Sequence, residues 1–444
     1  MWLLLAGTAT SQTASGVDNT QVQSGDIFSS GTLNVVTSAD TATSVSTASG
    51  NTLLGTVDNG GDLTFKSSQT TNGLGDPATT PPHPNQVDAI NTVTVGAGST
   101  VGTVNATTAA IGNSLDAGVT SGGTLSATPS SPTAPAPIYQ SASGAPIHAE
   151  SNITDGSSST YSADGKATNV YQSTQAIANS AGFGATDATV NATISQTSSV
   201  TAESDAETNY TYVGNNGDST VASNTTLTST AVGNNVTSVG VGNSSQTLNV
   251  TQGQTAGTVQ GTQFAYLGSS QESTIAATAT ANNINATNEQ GAFDVVTNQT
   301  NDAYVHAQAV ESSYEFGGAS VSAYGVGNST FAGNSGAGIT LDNTQINGTG
   351  GVQSEASFTG VSGYDASVAS TAMGNAATGY SCASCGGGMT IRNNQTNLGD
   401  VSSTANTSVN SDPANVGSGS GRYISATSTA VGNNASFYVT KPNN

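Results

Sequence analysis

Three histidines, two cysteines and one tight run of acidic residues are the groups that could carry chemistry in this chain. A histidine can serve as general acid, general base or metal ligand, and each role needs a partner within reach. His83 lies in a proline-rich stretch. His148 and His306 lie in alternating, strand-like segments, and no cysteine or paired carboxylate stands beside any of the three in sequence. Cys382 and Cys385 form Ser-Cys-Ala-Ser-Cys-Gly-Gly-Gly. A redox Cys-x-x-Cys opens a helix and a zinc site needs two further ligands; glycines follow here, so the pair reads as a small loop disulfide or as two idle thiols. Glu203, Asp205 and Glu207 alternate along the chain and share one strand face. They read as a solvated acidic face, with a divalent cation as the alternative. A calcium β-roll would need repeated Gly-Gly-x-Gly-x-Asp, which is absent. No Gly-x-Ser-x-Gly elbow, His-Glu-x-x-His or phosphate loop occurs. The sequence therefore predicts no catalytic, cofactor-binding or metal-ligating set, and no enzyme.

The elements that hold these residues come from an unusual composition. Charged residues are 7% of the 444, the net charge is -22, and the cations are Lys66, Lys166, Arg392, Arg422 and Lys441. Such a surface repels phosphates, which excludes nucleic acid as a partner. Gly, Ser, Thr, Asn and Ala dominate, prolines are few and clustered, and apolar residues alternate with polar ones. Alternation is the signature of strands rather than of disorder.

Two boxes recur. The first ends at Asn51, Asn113, Asn179, Asn234, Asn282, Asn328, Asn375 and Asn433. One residue earlier stand Gly50, Gly112, Ala178, Gly233, Ala281, Gly327, Gly374 and Gly432. Three earlier stand Ala48, Ala110, Ala176, Ala231, Ala279, Gly325, Ala372 and Ala430. Seven earlier the clearest copies carry Leu227, Ile275, Val321, Val368 and Ala426. Columns two apart share one strand face, so that face is tiny near the Asn and must meet a close neighbour. The second box reads apolar-x-apolar, three residues, then Gln: Leu63/Phe65/Gln69, Leu248/Val250/Gln254, Phe293/Val295/Gln299, Ile339/Leu341/Gln345 and Met389/Ile391/Gln395, with a weaker copy at Val190, Ile194 and Gln196. Asn301, Asn347 and Asn397 follow two residues later in three copies. Amides at fixed repeat positions can stack as hydrogen-bonded ladders.

First-box copies lie 46 to 66 residues apart. A repeat of about 47 residues is twice a coil of roughly 20 to 25, so the expected fold is all-β: an elongated right-handed parallel β-helix, or β-solenoid, with two coils per repeat. About 18 such coils at ~4.8 Å would form a rod on the order of 90 Å. Residues 1–12 read as a signal-peptide remnant. Residues 13–165 read as a less regular β region with proline-rich loops at 76–85 and 128–137, and 166–444 as the regular array. Phe437-Tyr-Val439 resembles the start of another second box, stopped by a capping Lys441-Pro442.

The Ser-Thr-Ala-Val-Gly-Asn-Asn boxes at 229–235 and 428–434, with the amide-bearing second box, make the chain similar to the holdfast attachment protein D (HfaD) family. These are Asn/Gln/Thr-rich surface proteins of stalked alphaproteobacteria. The resemblance implies a secreted protein at the cell surface or outer membrane of a Gram-negative bacterium, anchoring an adhesive extracellular polysaccharide, the holdfast. It implies a curlin-like partner, holdfast attachment protein A, and a curli-channel-like lipoprotein, B, and it brings no catalytic residues or cofactor. The alternative is a curlin-like functional-amyloid or matrix fibre subunit, a homo-oligomer. The repeat here is longer than a curlin repeat and lacks its strict Gln-x-Gly-x-x-Asn pattern.

Overall fold

The computed structural model describes residues 15–75, 84–131, 133–156, 165–210, 222–382, 388–410 and 423–440. Among them, strands are the only regular secondary structure. In chain order these are β1 (Ser15–Gln23), β2 (Ile27–Val35), β3 (Ala39–Val57), β4 (Asp62–Thr71), β5 (Val87–Val95), β6 (Thr100–Thr120), β7 (Thr124–Ala127) and β8 (Ile138–Ala142). There follow β9 (Ile147–Asp155), β10 (Lys166–Thr186), β11 (Thr189–Ser198), β12 (Ala202–Tyr210), β13 (Ala222–Val241), β14 (Ser245–Gln254), β15 (Thr258–Asn288) and β16 (Phe293–Asn301). The last six are β17 (Tyr304–Asn334), β18 (Ile339–Asn347), β19 (Val352–Cys382), β20 (Met389–Asn397), β21 (Val401–Val409) and β22 (Ile424–Thr440).

The strands form a 9-stranded sheet, running from β1 to β20, and a 13-stranded sheet holding the rest. The pairings are parallel, and each joins one repeat to the next: Asn282 pairs with Asn328, and Asn328 with Asn375. One repeat therefore builds one layer, which corrects the expectation of two coils per repeat. The reason is the length of the first-box strand. β15, β17 and β19 each run for 31 residues and bend around corners without ending. The pairing of β17 with β19 lapses at Tyr314, Gly317 and Gly327, where the chain turns. Eight layers at about 4.8 Å span roughly 35 Å, well short of the expected rod.

The layers are continuous from β1 onward. On both sides of residue 165 the strands belong to the same two sheets. The proline-rich stretch at 128–137 interrupts one strand without spoiling it. β7 and β8 flank it, and both pair with β4 and β11. Most of the other proline stretch, the N-terminal 1–12 and Lys441-Pro442 lie outside the described residues. Phe437 to Val439 do not open a second box. They complete β22 and pair with Gly379 to Ser381.

The small-residue columns have the physical cause expected of them. In β17 the inward positions are odd from Ala319 to Gly325 and even from Asn328, so the chain kinks at Gly327 and turns the Asn into the core. A Cβ at Gly327 would collide with Asn347 Oδ1 of the 9-stranded sheet and with the Gly374 carbonyl of the next layer. Further back the first-box strand faces the preceding strand segment of its own layer at close range. Ser229 Oγ donates to the Ser204 carbonyl at 2.6 Å, and Ser370 Oγ to that of Ser354 at 2.8 Å. Larger side chains fill the wider parts, with Leu227, Ile275, Val321 and Val368 all at 1% exposure or less.

Two amide ladders run through the interior. Asn51, Asn113, Asn179, Asn234, Asn282, Asn328 and Asn375 each donate Nδ2–H to the next Oδ1 along the series, which ends at Asn433, at 2.7–2.8 Å. Gln21, Gln69, Gln140, Gln196, Gln252, Gln299, Gln345 and Gln395 form the second, each donating back to the preceding layer at 2.7–2.8 Å. The expected member Gln254 is not in it. Gln252 pairs with Gln299, and Gln254 pairs with Asn301. The apolar-anchored alignment slips by two because Gln246 occupies the first inward position, where β16 has Phe293.

Replacing Asn282 strands the Asn234 donor, the Asn328 acceptor and the Thr300 carbonyl in the core. Asn282→Ala is expected to cost about 4 kcal/mol in chemical denaturation, against about 1 kcal/mol for Asn433→Ala in the last layer. Gly327→Val should lower the melting temperature sharply. Gly184→Ala, with nothing within 4 Å of the added carbon, should leave it unchanged.

Candidate functional site

The repeat positions named from sequence are interior. Ala231, Asn234, Ala279, Asn282, Asn328, Ala372, Asn375, Gln254, Gln299 and Gln345 are 0% exposed. Gly233, Gly327 and Gly374 sit at the corner where a Cβ would strike the next layer. The last layer differs: Ala430 and Asn433 are exposed there, and Gly432 and Gln395 half-buried. These side chains hold layers together, and their amides are committed to one another. Cys382 ends β19 and is disulfide-bonded; Cys385, its expected partner, lies outside the described residues.

What faces outward on the 9-stranded sheet is a polar wall of mostly uncharged side chains, in which Asp18, Lys66, Asp294, Asp342 and Arg392 are charged. One outward column runs Thr20, Ser68, Tyr139, Ser195, Thr251, Asn298, Thr344, Asn394. In-register parallel pairing makes the column, since each layer adds one side chain on the same face at the strand spacing of about 4.8 Å. Tyr139 is its one aromatic, 39% exposed. Beside it the proline excursion folds over β1 and β4 and closes a groove of about 320 Å³ lined by Pro135, Pro137, Tyr139, Thr20, Ser68 and Lys66. A Lys66–Asp18 ion pair at 3.3 Å sits at the edge. Flat apolar rings flanked by hydroxyls match the two faces of a sugar ring, whose C–H face stacks and whose hydroxyls seek donors and acceptors. The sequence marked 128–137 only as a loop. Its placement over β1 follows from register, which joins residues far apart in the chain.

A second cluster lies on the outward face of β5, β9 and β12. The pairing sets Asp88 opposite His148 and His148 opposite Glu203, with Glu150 opposite Asp205. His148 Nδ1 lies 2.9 Å from Asp88 Oδ1, and its Nε2 lies 3.9 Å from Asp205 Oδ2. Burial pushes Asp205 up to about 6, with the Glu203 charge adding to it. Burial acts to lower the His148 pKa, but the hydrogen bond and charge of Asp88, with Asp205 and Glu203, outweigh it and raise it. The acids expected as a plain solvated face thus surround a histidine. The signal in sequence was the 55-residue step from His148 to Glu203, one layer. His306 lies on the same wall further along the stack, 3.8 Å from Glu355, and burial lowers its pKa. His83 lies outside the described residues.

A titratable group of β17 is enclosed in the core. Glu311 is fully buried beneath β17, with Ser273 Oγ donating to its Oε1 at 2.6 Å. Burial raises it from 4.5 to about 7, partly offset by that hydrogen bond. The folded state therefore holds a proton that the unfolded chain has already lost across that interval. The stability that Glu311 contributes is fully present below pH 4.5 and is lost as pH rises through 7. Denaturation midpoints should drop over this window, with Asp205, raised to about 6, contributing to the fall; Glu311→Gln should make the drop shallower and add about 3 kcal/mol at pH 8.

Residues 84–351 match the family model of holdfast attachment protein D. No curated protein and no solved structure matches the chain.

Proposed function

Because the chain belongs to the holdfast attachment protein D family, we propose that it is a non-catalytic cell-surface adhesin that anchors an adhesive polysaccharide to the cell envelope. The observation that carries this reading is the outward wall of the 9-stranded sheet, with its Tyr139 groove. A polysaccharide offers repeated rings and hydroxyls along a line, and the wall offers repeated hydroxyl and amide side chains along a line. Many weak contacts on one rigid surface add through effective concentration. Sparse cations make a neutral polymer the better fit than a strongly acidic one. The interior amides, by contrast, serve the scaffold.

The finer architecture belongs to the same reading: a right-handed parallel β-helix with one coil per repeat. Parallel crossovers within a sheet are right-handed in nearly all cases. Such a protein would act outside the cell, at the outer membrane, with the curlin-like and channel-like partners that the family resemblance implies. Those partners would supply export and a base.

A fibre subunit is the second reading, and one observation favours it. The inward residues of β20 and β21 are half-exposed where those of interior layers are buried. The ladders also donate in opposite directions, so Asn433 keeps a donor and Gln395 an acceptor for another layer. Purified protein that stays monomeric and does not bind thioflavin would rule this reading out.

Deleting the gene should shed adhesive from otherwise normal cells; retained attachment would overturn the anchor reading. Tyr139→Ala should weaken retention of purified protein on isolated holdfast polysaccharide about tenfold, the loss of about 1.4 kcal/mol expected of one aromatic contact. Its melting temperature should be unchanged.

A further inference from the structure

We propose that His148, Glu203 and Asp205 bind one divalent transition-metal ion of the zinc type on the outward face of β9 and β12. A ligand atom from each of the three lies within 4.8 Å of the others. Metal–ligand bonds near 2.0–2.2 Å place donors of one ion roughly 3–4 Å apart, and His148 Nε2 already stands 3.9 Å from Asp205 Oδ2. That separation is too long for a hydrogen bond and suits an ion between the two atoms. Small side-chain rotations bring in Glu203.

The histidine is prepared for the role. Asp88 is 3% exposed and lies 2.9 Å from His148 Nδ1. A carboxylate accepting from Nδ1–H fixes the tautomer that leaves the Nε2 lone pair facing the other two carboxylates. A lone pair aimed at two anions is repulsive unless a proton or a metal ion lies between them, and a metal ion competes with the proton for that place. Asp88 is thus a positioning residue. Glu150 is engaged by Asn152, whose Nδ2 donates to it at 2.6 Å, and is not counted as a ligand. One imidazole with two carboxylates suits zinc-type ions better than calcium or magnesium, which take oxygen ligands in larger number. Three protein donors leave the fourth position to water on the open side.

The backbone explains why the site forms once. The column through His148 continues as Gln260 and His306, and the one through Asp205 as Thr262 and Gln308. Among the described residues, only at β9 and β12 does an imidazole lie opposite one acid, Glu203, with a second, Asp205, two residues on along the same strand face.

The test is titration of the untagged full-length chain with zinc alone by calorimetry, and with cobalt, whose visible absorption reports tetrahedral coordination. One ion per chain is expected. His148→Ala should abolish it, as should the pair Glu203→Gln with Asp205→Asn. Asp88→Asn should weaken affinity 10- to 100-fold, while His306→Ala should leave it intact. Circular dichroism checks that each variant retains its strands, and Glu203→Gln, a conservative outward-facing change, keeps the test alive if His148→Ala misfolds. Absent zinc binding, or binding unchanged in Glu203→Gln and His148→Ala, would overturn the proposal and leave a protonated His148 as what links the carboxylates.

Discussion

Everything in this structure depends on the self-complementarity of a carboxamide repeated at the strand spacing. An amide offers one acceptor oxygen and two N–H donors. In the Asn ladder one N–H reaches the next layer, and the other reaches a carbonyl of the 9-stranded sheet, as Asn282 does with Thr300 at 2.8 Å. In the Gln ladder the second donor goes the other way, to the residue just after the ladder Asn, as Gln299 does with Ser329 at 2.9 Å. The two sheets are therefore stitched to each other in each interior layer by the second N–H of each ladder amide. Buried polar networks of this kind specify a unique register when complete and are costly when broken.

That stitching lets the apolar core be modest. The walls approach too closely for large side chains, so Ala, Ser and Gly line them, and Leu, Ile, Val and Phe fill what remains. It also tolerates variable chain between strands. Repeats of 46, 58 and 66 residues keep one Asn per layer. The proline excursion between β7 and β8 leaves Gln140 on its ladder between Gln69 and Gln196. Insertions leave the stack sideways, and surface features such as the Tyr139 groove arise from them.

Function is thereby divided by depth. The amides that make the sequence conspicuous are enclosed and committed. The outward positions, free of that constraint, carry the hydroxyl wall, the groove and the acidic cluster around His148. Register is what turns distant residues into neighbours on these faces.

The sequence by itself determined the strand class, the two boxes, the narrow Gly/Ala-lined corner and the amide columns, because alternation and column identity report local geometry directly. It could not count coils per repeat. Strand length around a corner decides that, and Gly327 and Asn328 bend β17 without ending it. It misplaced Gln254 because apolar residues anchored the alignment, while the hydrogen-bonding partner sets the register. Only the tertiary structure decided which polar residues are enclosed and which are presented, and that His148 meets Glu203 and Asp205. Those meetings depend on a layer spacing that varies along the chain, since loops of different length intervene while the sheets keep one constant separation between strands.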